Sequence, residues 1–286
     1  MKLTQQKEAI LNRIVNDLKN VKGVRAVVLG GSYATGHANE TSDLDMGIYY
    51  HENSPFNVEE IRDIAKRYAI GNTPTVTDFY QWGPWVNGGA WMNTSAGKVD
   101  FLYRNIDQVK TTIEKAKNGE WENHYEQRPP YGFSSVIYLA ECQSCIPLYD
   151  PQNMITELKQ EVSVYPSKLK HTIIQETLWS AEFTLIQAST FIEKQDIYNI
   201  AGCLTRAVKN IVSALFAINE IYPIGDKRAL EILEKTGKKP DQLKATVEDI
   251  LCITKHSPAE NIKKMKHLFE QVLSLTEGIY QPLFNL

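Results

Sequence analysis

Two aspartates two residues apart, Asp43 and Asp45, stand in Ser42-Asp43-Leu44-Asp45, downstream of a glycine pair, Gly30-Gly31, that is followed by Ser32. Alternate side chains of an extended strand share a face. Both carboxylates therefore project together from a strand running Asp43 to Tyr50, while Leu44, Met46 and Ile48 point the other way. Two hard anionic oxygen donors on one face suit Mg²⁺. Glycine lacks a Cβ, so Gly30-Gly31 allows both a tight turn and a close approach of backbone N–H groups to a ligand. Ser32 to Thr35 opens a helix there, whose leading N–H groups and positive dipole end attract phosphate, and the Ser32 hydroxyl adds one more donor. The chemistry available to this set is nucleotide-phosphate binding beside a divalent metal.

The elements that must hold these residues are legible. Val24 to Leu29 is short, apolar and β-branched, a buried strand ending at the glycines. Taken in order, Gly30-Gly31-Ser32, Gly36 and Ser42-Asp43-Leu44-Asp45 resemble the signature of the nucleotidyltransferase superfamily that includes DNA polymerase beta and the small antibiotic-modifying nucleotidyltransferases. The motifs lie in the first half of the chain, and the second half shares only a helical character. An aspartate at alternate positions of a strand is disfavoured by β-propensity and calls for a reason, which metal binding supplies.

The resemblance implies a third carboxylate on a neighbouring strand. Asp100, in Lys98-Val99-Asp100-Phe101-Leu102-Tyr103, is the first candidate, an acid interrupting an apolar run. Asp78, in Thr75-Val76-Thr77-Asp78-Phe79-Tyr80, is a rival. The competing role for either is an ion pair with a nearby base such as Lys98 or Arg104. By the same resemblance, two Mg²⁺ ions held by Asp43, Asp45 and Asp100 neutralise a triphosphate and activate an acceptor hydroxyl, and Asp100 receives the hydroxyl proton. Glu141, Glu176 and Glu182 are alternative bases. Arg206 and Lys209, three apart on one face of an otherwise apolar helix, are candidates to bind the triphosphate, with Lys227 a weaker one; an ion pair within the helical half competes with that role. Trp82, Trp85, Trp91 and Tyr131 have the ring faces to stack on an acceptor sugar or a base.

Composition bounds the function classes. The chain has 286 residues, 43% of them apolar, enough to fill a core in each of two domains. A formal net charge of −3 and a pI near 6.1 argue against a broad footprint for nucleic acid, which typically lifts a domain's pI above about 9. No uninterrupted apolar run approaches the ~20 residues of a membrane span, and the N-terminus lacks a signal-peptide core, so the chain reads as cytoplasmic. Cys142 and Cys145 form a Cys-x-x-Cys pair without further ligands at zinc spacing; four reduced, mostly buried thiols are expected.

Apolar spacing predicts helices over Gln5–Leu18, Val58–Tyr68 and Asp107–Lys117, loops over Arg128–Phe133 and Pro147–Pro151, and helices alone from about Ile155. Those later helices are Pro166-Ser167 to Ile192, Ile197 to Ile221, Asp226 to Lys235, and a last one opened by a capping box at Ser257-Pro258-Ala259-Glu260 and running to about Tyr280. The fold class is α+β. An N-terminal nucleotidyltransferase domain with a small mixed sheet flanked by helices (1–150) precedes an all-α helical bundle (151–286).

Two function classes follow. One is an enzyme of the EC 2.7.7 type that moves a nucleoside monophosphate, foremost AMP from ATP, to a hydroxyl on a small molecule or protein. The other is a non-catalytic nucleotide-binding or toxin-neutralising module of the same fold. A homodimer is left open.

Overall fold

The computed structural model describes residues 3–286. The chain divides into two compact units. One holds the chain up to Glu114 together with Glu122–Val164, and the other holds Lys115–Trp121 and Tyr165–Leu286. The architecture is α+β, with a mixed sheet and flanking helices first and a helical region at the C-terminal end.

In the first unit, α1 (Gln5–Leu18) is capped by the Thr4 hydroxyl, which accepts from the Lys7 N–H. Strand β1 (Ala26–Leu29) leads into a single helical turn, α2 (Gly31–Ala34), and then into β2 (Leu44–Tyr50). There follow α3 (Val58–Tyr68), β3 (Thr75–Val76), β4 (Gly89–Thr94), β5 (Gly97–Asn105) and α4 (Ile106–Lys117). A two-stranded ribbon, β6 (Asn123–His124) with β7 (Phe133–Ser134), precedes α5 (Val136–Ser144), β8 (Ile146–Tyr149) and α6 (Met154–Glu161). The six-stranded sheet has the order β3-β4-β5-β2-β1-β8. Only the central pair, β2 with β5, is parallel.

Alternation along the two central strands decides what each face carries. Leu44, Met46 and Ile48 of β2, with Val99, Phe101 and Tyr103 of β5, join one buried cluster with Ile10, Leu11, Ile14 and Leu18 of α1 and Ile61, Ile64 and Ala65 of α3. Asp45 and Asp100 fall at the intervening positions and so belong to the opposite face.

Several local expectations are corrected. Pro147–Pro151 is not simply a loop: Ile146–Tyr149 forms edge strand β8, with Pro147 opposite Val28. An edge position tolerates proline because its missing N–H faces away from the ladder. Strands β3 and β4 lie within 71–97, where glycine, asparagine and tryptophan obscured the alternation. Helix α5 is apolar almost all round and buried, so it shows no amphipathic stripe to read.

In the second unit, α7 (Ser167–Ile192) and α8 (Ile197–Ile218) pack along one another, and α11 (Pro258–Ser274) packs on both. Between them lie α9 (Ala229–Leu233) and α10 (Leu243–Leu251). Among the described residues α8 alone is long and apolar enough to cross a membrane, and 56% of its apolar window is buried, as in a core helix. The predicted capping box does not form. Ser257 is in a helical conformation and its hydroxyl accepts from the Thr254 N–H, so it does not reach the first turn of α11. That helix ends at Ser274, short of Tyr280.

The four cysteines are free thiols, but only Cys142 and Cys145 are buried; Cys203 is half-buried and Cys252 exposed. Burial pushes the Cys145 thiol up to about 11.

Candidate active site

The turn after β1 is built around a contact that requires glycine. Gly31 has φ +57, and a Cβ there would lie 1.8 Å from Asp45 Oδ2. The Asp45 carboxylate thus rests directly against the backbone of Gly31. The Gly30 N–H donates to the Asp45 carbonyl at 2.8 Å, tying the turn to the first residues of β2. The helix expected to open at Ser32 to Thr35 is α2, a single turn over Gly31–Ala34. Its macrodipole is correspondingly slight, so an anion here would meet individual N–H groups and the Ser32 hydroxyl. Gly30, Gly31 and Ser32 are all partly exposed.

Asp43 precedes β2 by one residue, at the end of a loop that Lys7 secures. The Lys7 ammonium, buried under the loop, donates to Tyr33 Oη at 2.9 Å, to the Glu40 carbonyl at 3.1 Å and to the Ser42 carbonyl at 2.6 Å. Three acceptors satisfy all its protons, which is what makes a buried lysine tolerable. Nothing in the sequence pattern around α1 singles out this role, since Lys7 sits at an ordinary polar helix position.

The parallel register of β2 with β5 pairs Asp45 with Asp100. The two lie on adjacent strands about 4.8 Å apart and, being level, on the same face. Asp100 is 9% exposed. Lys98, two residues earlier on the same face, places its ammonium 2.8 Å from Asp100 Oδ2 and 3.3 Å from Asp43 Oδ2. Burial works against that charge, but the hydrogen bond and charge of Asp100, then those of Asp43, outweigh it and hold the Lys98 pKa above its ordinary value. The structure therefore brings Asp100 to Asp45 and links Asp100 with Asp43 through one cation.

The antiparallel pairing of β4 with β5 extends the row by placing Trp91 opposite Asp100. Across the sheet, Trp91, Asp100 and Asp45 stand level on one face, and the Gly30–Gly31 turn adjoins Asp45.

Other candidates lie elsewhere. Asp78 is exposed in the turn that follows β3, where its N–H donates to Gln81 Oε1. Each of the three glutamates considered as base is engaged structurally. Glu141 makes a two-pronged pair with the buried Arg104 guanidinium, at 2.7 and 2.8 Å. Glu176 accepts from Trp121 Nε1 at 2.7 Å. Glu182, wholly buried, accepts from the Tyr280 hydroxyl and from the N–H groups of Leu283 and Phe284.

In the second unit, Arg206 is exposed, with one guanidinium nitrogen 3.4 Å from Ser180 Oγ. The Lys209 ammonium lies 5.5 Å from the centroid of the Trp121 ring. Burial depresses the Lys209 pKa, against the pull of Asp226, while the charge of Arg206 adds to the depression. Lys227 is exposed. Of the aromatic candidates, Trp85 is buried against Phe133 and Tyr138. Tyr131 is half-buried, and Trp82 and Trp91 stack on one another.

The carboxylates offer hard oxygen donors, fitting in kind for a divalent cation. Their arrangement is that of a site already holding a positive charge: a single ammonium reaches both Asp43 and Asp100. Among the described residues, no three His, Cys, Asp or Glu side chains are grouped so as to hold a metal ion as they stand.

Among curated proteins, none matches the chain. A solved structure, the nucleotidyltransferase-like protein from Exiguobacterium sibiricum 255-15, is similar at 7% identity and a TM-score of 0.45, covering 95% of this chain and 77% of that one. Residues 135–227 match a domain family of unknown function, DUF4037. Residues 11–80 match the nucleotidyltransferase domain family. That match spans β1, the Gly30–Gly31 turn, Asp43 and strand β2.

Proposed function

We propose that the protein transfers a nucleoside monophosphate, foremost AMP from ATP, to a hydroxyl on a small molecule or a protein, with release of pyrophosphate. The observation that carries this reading is the level pairing of Asp45 with Asp100 beside a glycine turn against whose backbone the Asp45 carboxylate rests. Asp43, Asp45 and Asp100 are the residues that would hold Mg²⁺, which when bound supplies charge neutralisation at the triphosphate and polarises the acceptor hydroxyl. The Gly31 N–H and the Ser32 hydroxyl would orient the phosphate tail, with Gly30 holding the turn through its bond to the Asp45 carbonyl. Asp100, one strand further from the turn than Asp45, would accept the hydroxyl proton. Lys98, which bonds Asp43 and Asp100, would have to release them for a divalent cation to be held there.

A second reading is favoured by Lys98: two of the three carboxylates already bridged by the chain's own ammonium suit a nucleotide-binding or toxin-neutralising module without catalysis. The two part in one experiment. Pyrophosphate release is measured with each ribonucleoside triphosphate, with and without Mg²⁺, against a panel of hydroxyl acceptors. Mg²⁺-dependent release with one nucleotide supports the enzyme; tight nucleotide binding without release under every condition supports the module.

A further inference from the structure

Beyond Asp100, on the side away from the glycine turn, the same row of the sheet ends in an aromatic surface. Trp91 is the direct partner of Asp100 across the β4–β5 ladder. Its ring lies over Gly89, two residues along the same face, where a Cβ would come within 2.9 Å of the indole and 2.2 Å of the Phe101 carbonyl. Trp82 stacks on Trp91, with ring centroids 4.4 Å apart and planes 27° apart.

Trp82 is 47% exposed, although its backbone is fixed. The side chain of Gln127, itself buried, bonds the Trp82 carbonyl through Nε2, and its Oε1 accepts from the Trp85 N–H at 3.0 Å. A large apolar ring held out to solvent on a secured loop is costly to maintain for packing alone.

In-line displacement at phosphorus sets the attacking oxygen opposite the leaving group. If pyrophosphate leaves toward the Gly30–Gly31 turn, the acceptor arrives from the opposite side of the acids, which is the side of Trp91 and Trp82. We infer that Trp91 and Trp82 form the acceptor platform, and that the acceptor is a ring-bearing molecule whose flat apolar face stacks on indole while a hydroxyl points at Asp100. This inference rests on the proposed nucleotidyl transfer. The shared ligand chemistry is a planar apolar ring face, which an aromatic ring and the CH face of a pyranose both present.

The test uses the full-length protein with Mg²⁺ and a non-hydrolysable ATP analogue, and three probes: phenol, methyl β-D-glucopyranoside and glycerol. Saturation-transfer NMR reads probe binding, and calorimetry reads the triphosphate analogue in the same samples. Ring probes should receive saturation and glycerol should not, and whether phenol or the glucoside binds identifies the ring type. Trp82→Ala removes an exposed ring and leaves the Gln127 bonds to backbone in place, so it should fold. It should weaken the ring probe about tenfold or more while leaving triphosphate affinity unchanged. Trp91→Phe, which keeps a smaller ring, should weaken it less.

Unchanged probe binding in both variants overturns the platform, as does a wild type that binds neither ring probe. A Trp82→Ala variant that loses affinity for the triphosphate instead assigns the rings to the nucleobase and overturns the acceptor role. A wild type that binds no triphosphate analogue overturns nucleotidyl transfer itself and this inference with it.

Discussion

Asp45 and Asp100 are direct partners in the one parallel pairing of the sheet, that of β2 with β5. Like charges set level on neighbouring strands destabilise the ladder, and both sit where β-propensity disfavours an acid. The fold tolerates this through Lys98, whose ammonium bonds Asp100 and reaches Asp43. A site that brings its own cation is a site that attracts cations.

Replacing Gly31 by Ala should weaken triphosphate binding at least tenfold with only a modest loss of stability. The new methyl meets the Asp45 carboxylate, a side-chain end that rotates away more readily than the backbone does, so the disturbance falls on the site. The positive φ adds a cost of about 1 kcal/mol. Calorimetric titration with a non-hydrolysable triphosphate measures it; wild-type affinity would make the turn purely structural.

This part of the site was legible because its residues conflict with their surroundings: glycines ending an apolar strand, and acids alternating with Leu44, Met46 and Val99. Lys98 was visible only as an alternative partner for Asp100, since its reach to Asp43 depends on the pairing of β2 with β5, a long-range register that local pattern does not encode. The position of Trp91 beside Asp100 was hidden for the same reason. Lys7 carries no such signal, because a lysine in the first turn of an amphipathic helix looks solvated until the 35–43 loop folds over it. In the helical half, apolar periodicity located α7 and α8 to within a few residues. It missed the bonds of the C-terminal tail to Glu182, which join residues about a hundred positions apart in sequence.

Lys98→Met should lower the melting temperature of the metal-free protein and raise its affinity for Mn²⁺ several-fold. The loss of stability should be small, up to about 1 kcal/mol, because the lysine is half-exposed and its ion pairs are partly screened. The sign with pH follows from the partners. The loss should be largest near neutral pH and shrink as the carboxylates protonate in acid. Mn²⁺ titration followed by electron paramagnetic resonance checks the affinity; an unchanged or weaker affinity would mean that Lys98 does not compete with the metal.

Glu182→Gln should destabilise the helical unit by about 2–4 kcal/mol. The glutamine amide sets donors against some of the donors that the buried carboxylate now accepts from, at Tyr280, Leu283 and Phe284. Denaturant unfolding and the rate of proteolysis in the C-terminal tail are the readouts. A change below about 0.5 kcal/mol would show that the tail is held by its apolar contacts alone.

The central claim is that the acids on this face perform metal-assisted nucleotidyl transfer, and its most direct measurement is Mg²⁺-dependent pyrophosphate release by wild type, Asp45→Asn and Asp100→Asn. Each substitution keeps side-chain volume and removes one charge. Losing that charge should cost several kcal/mol of barrier, so both variants should remain folded and fall at least about a thousandfold below wild type. Release by either variant within tenfold of wild type at saturating Mg²⁺, or wild-type release indifferent to the metal, would contradict the account.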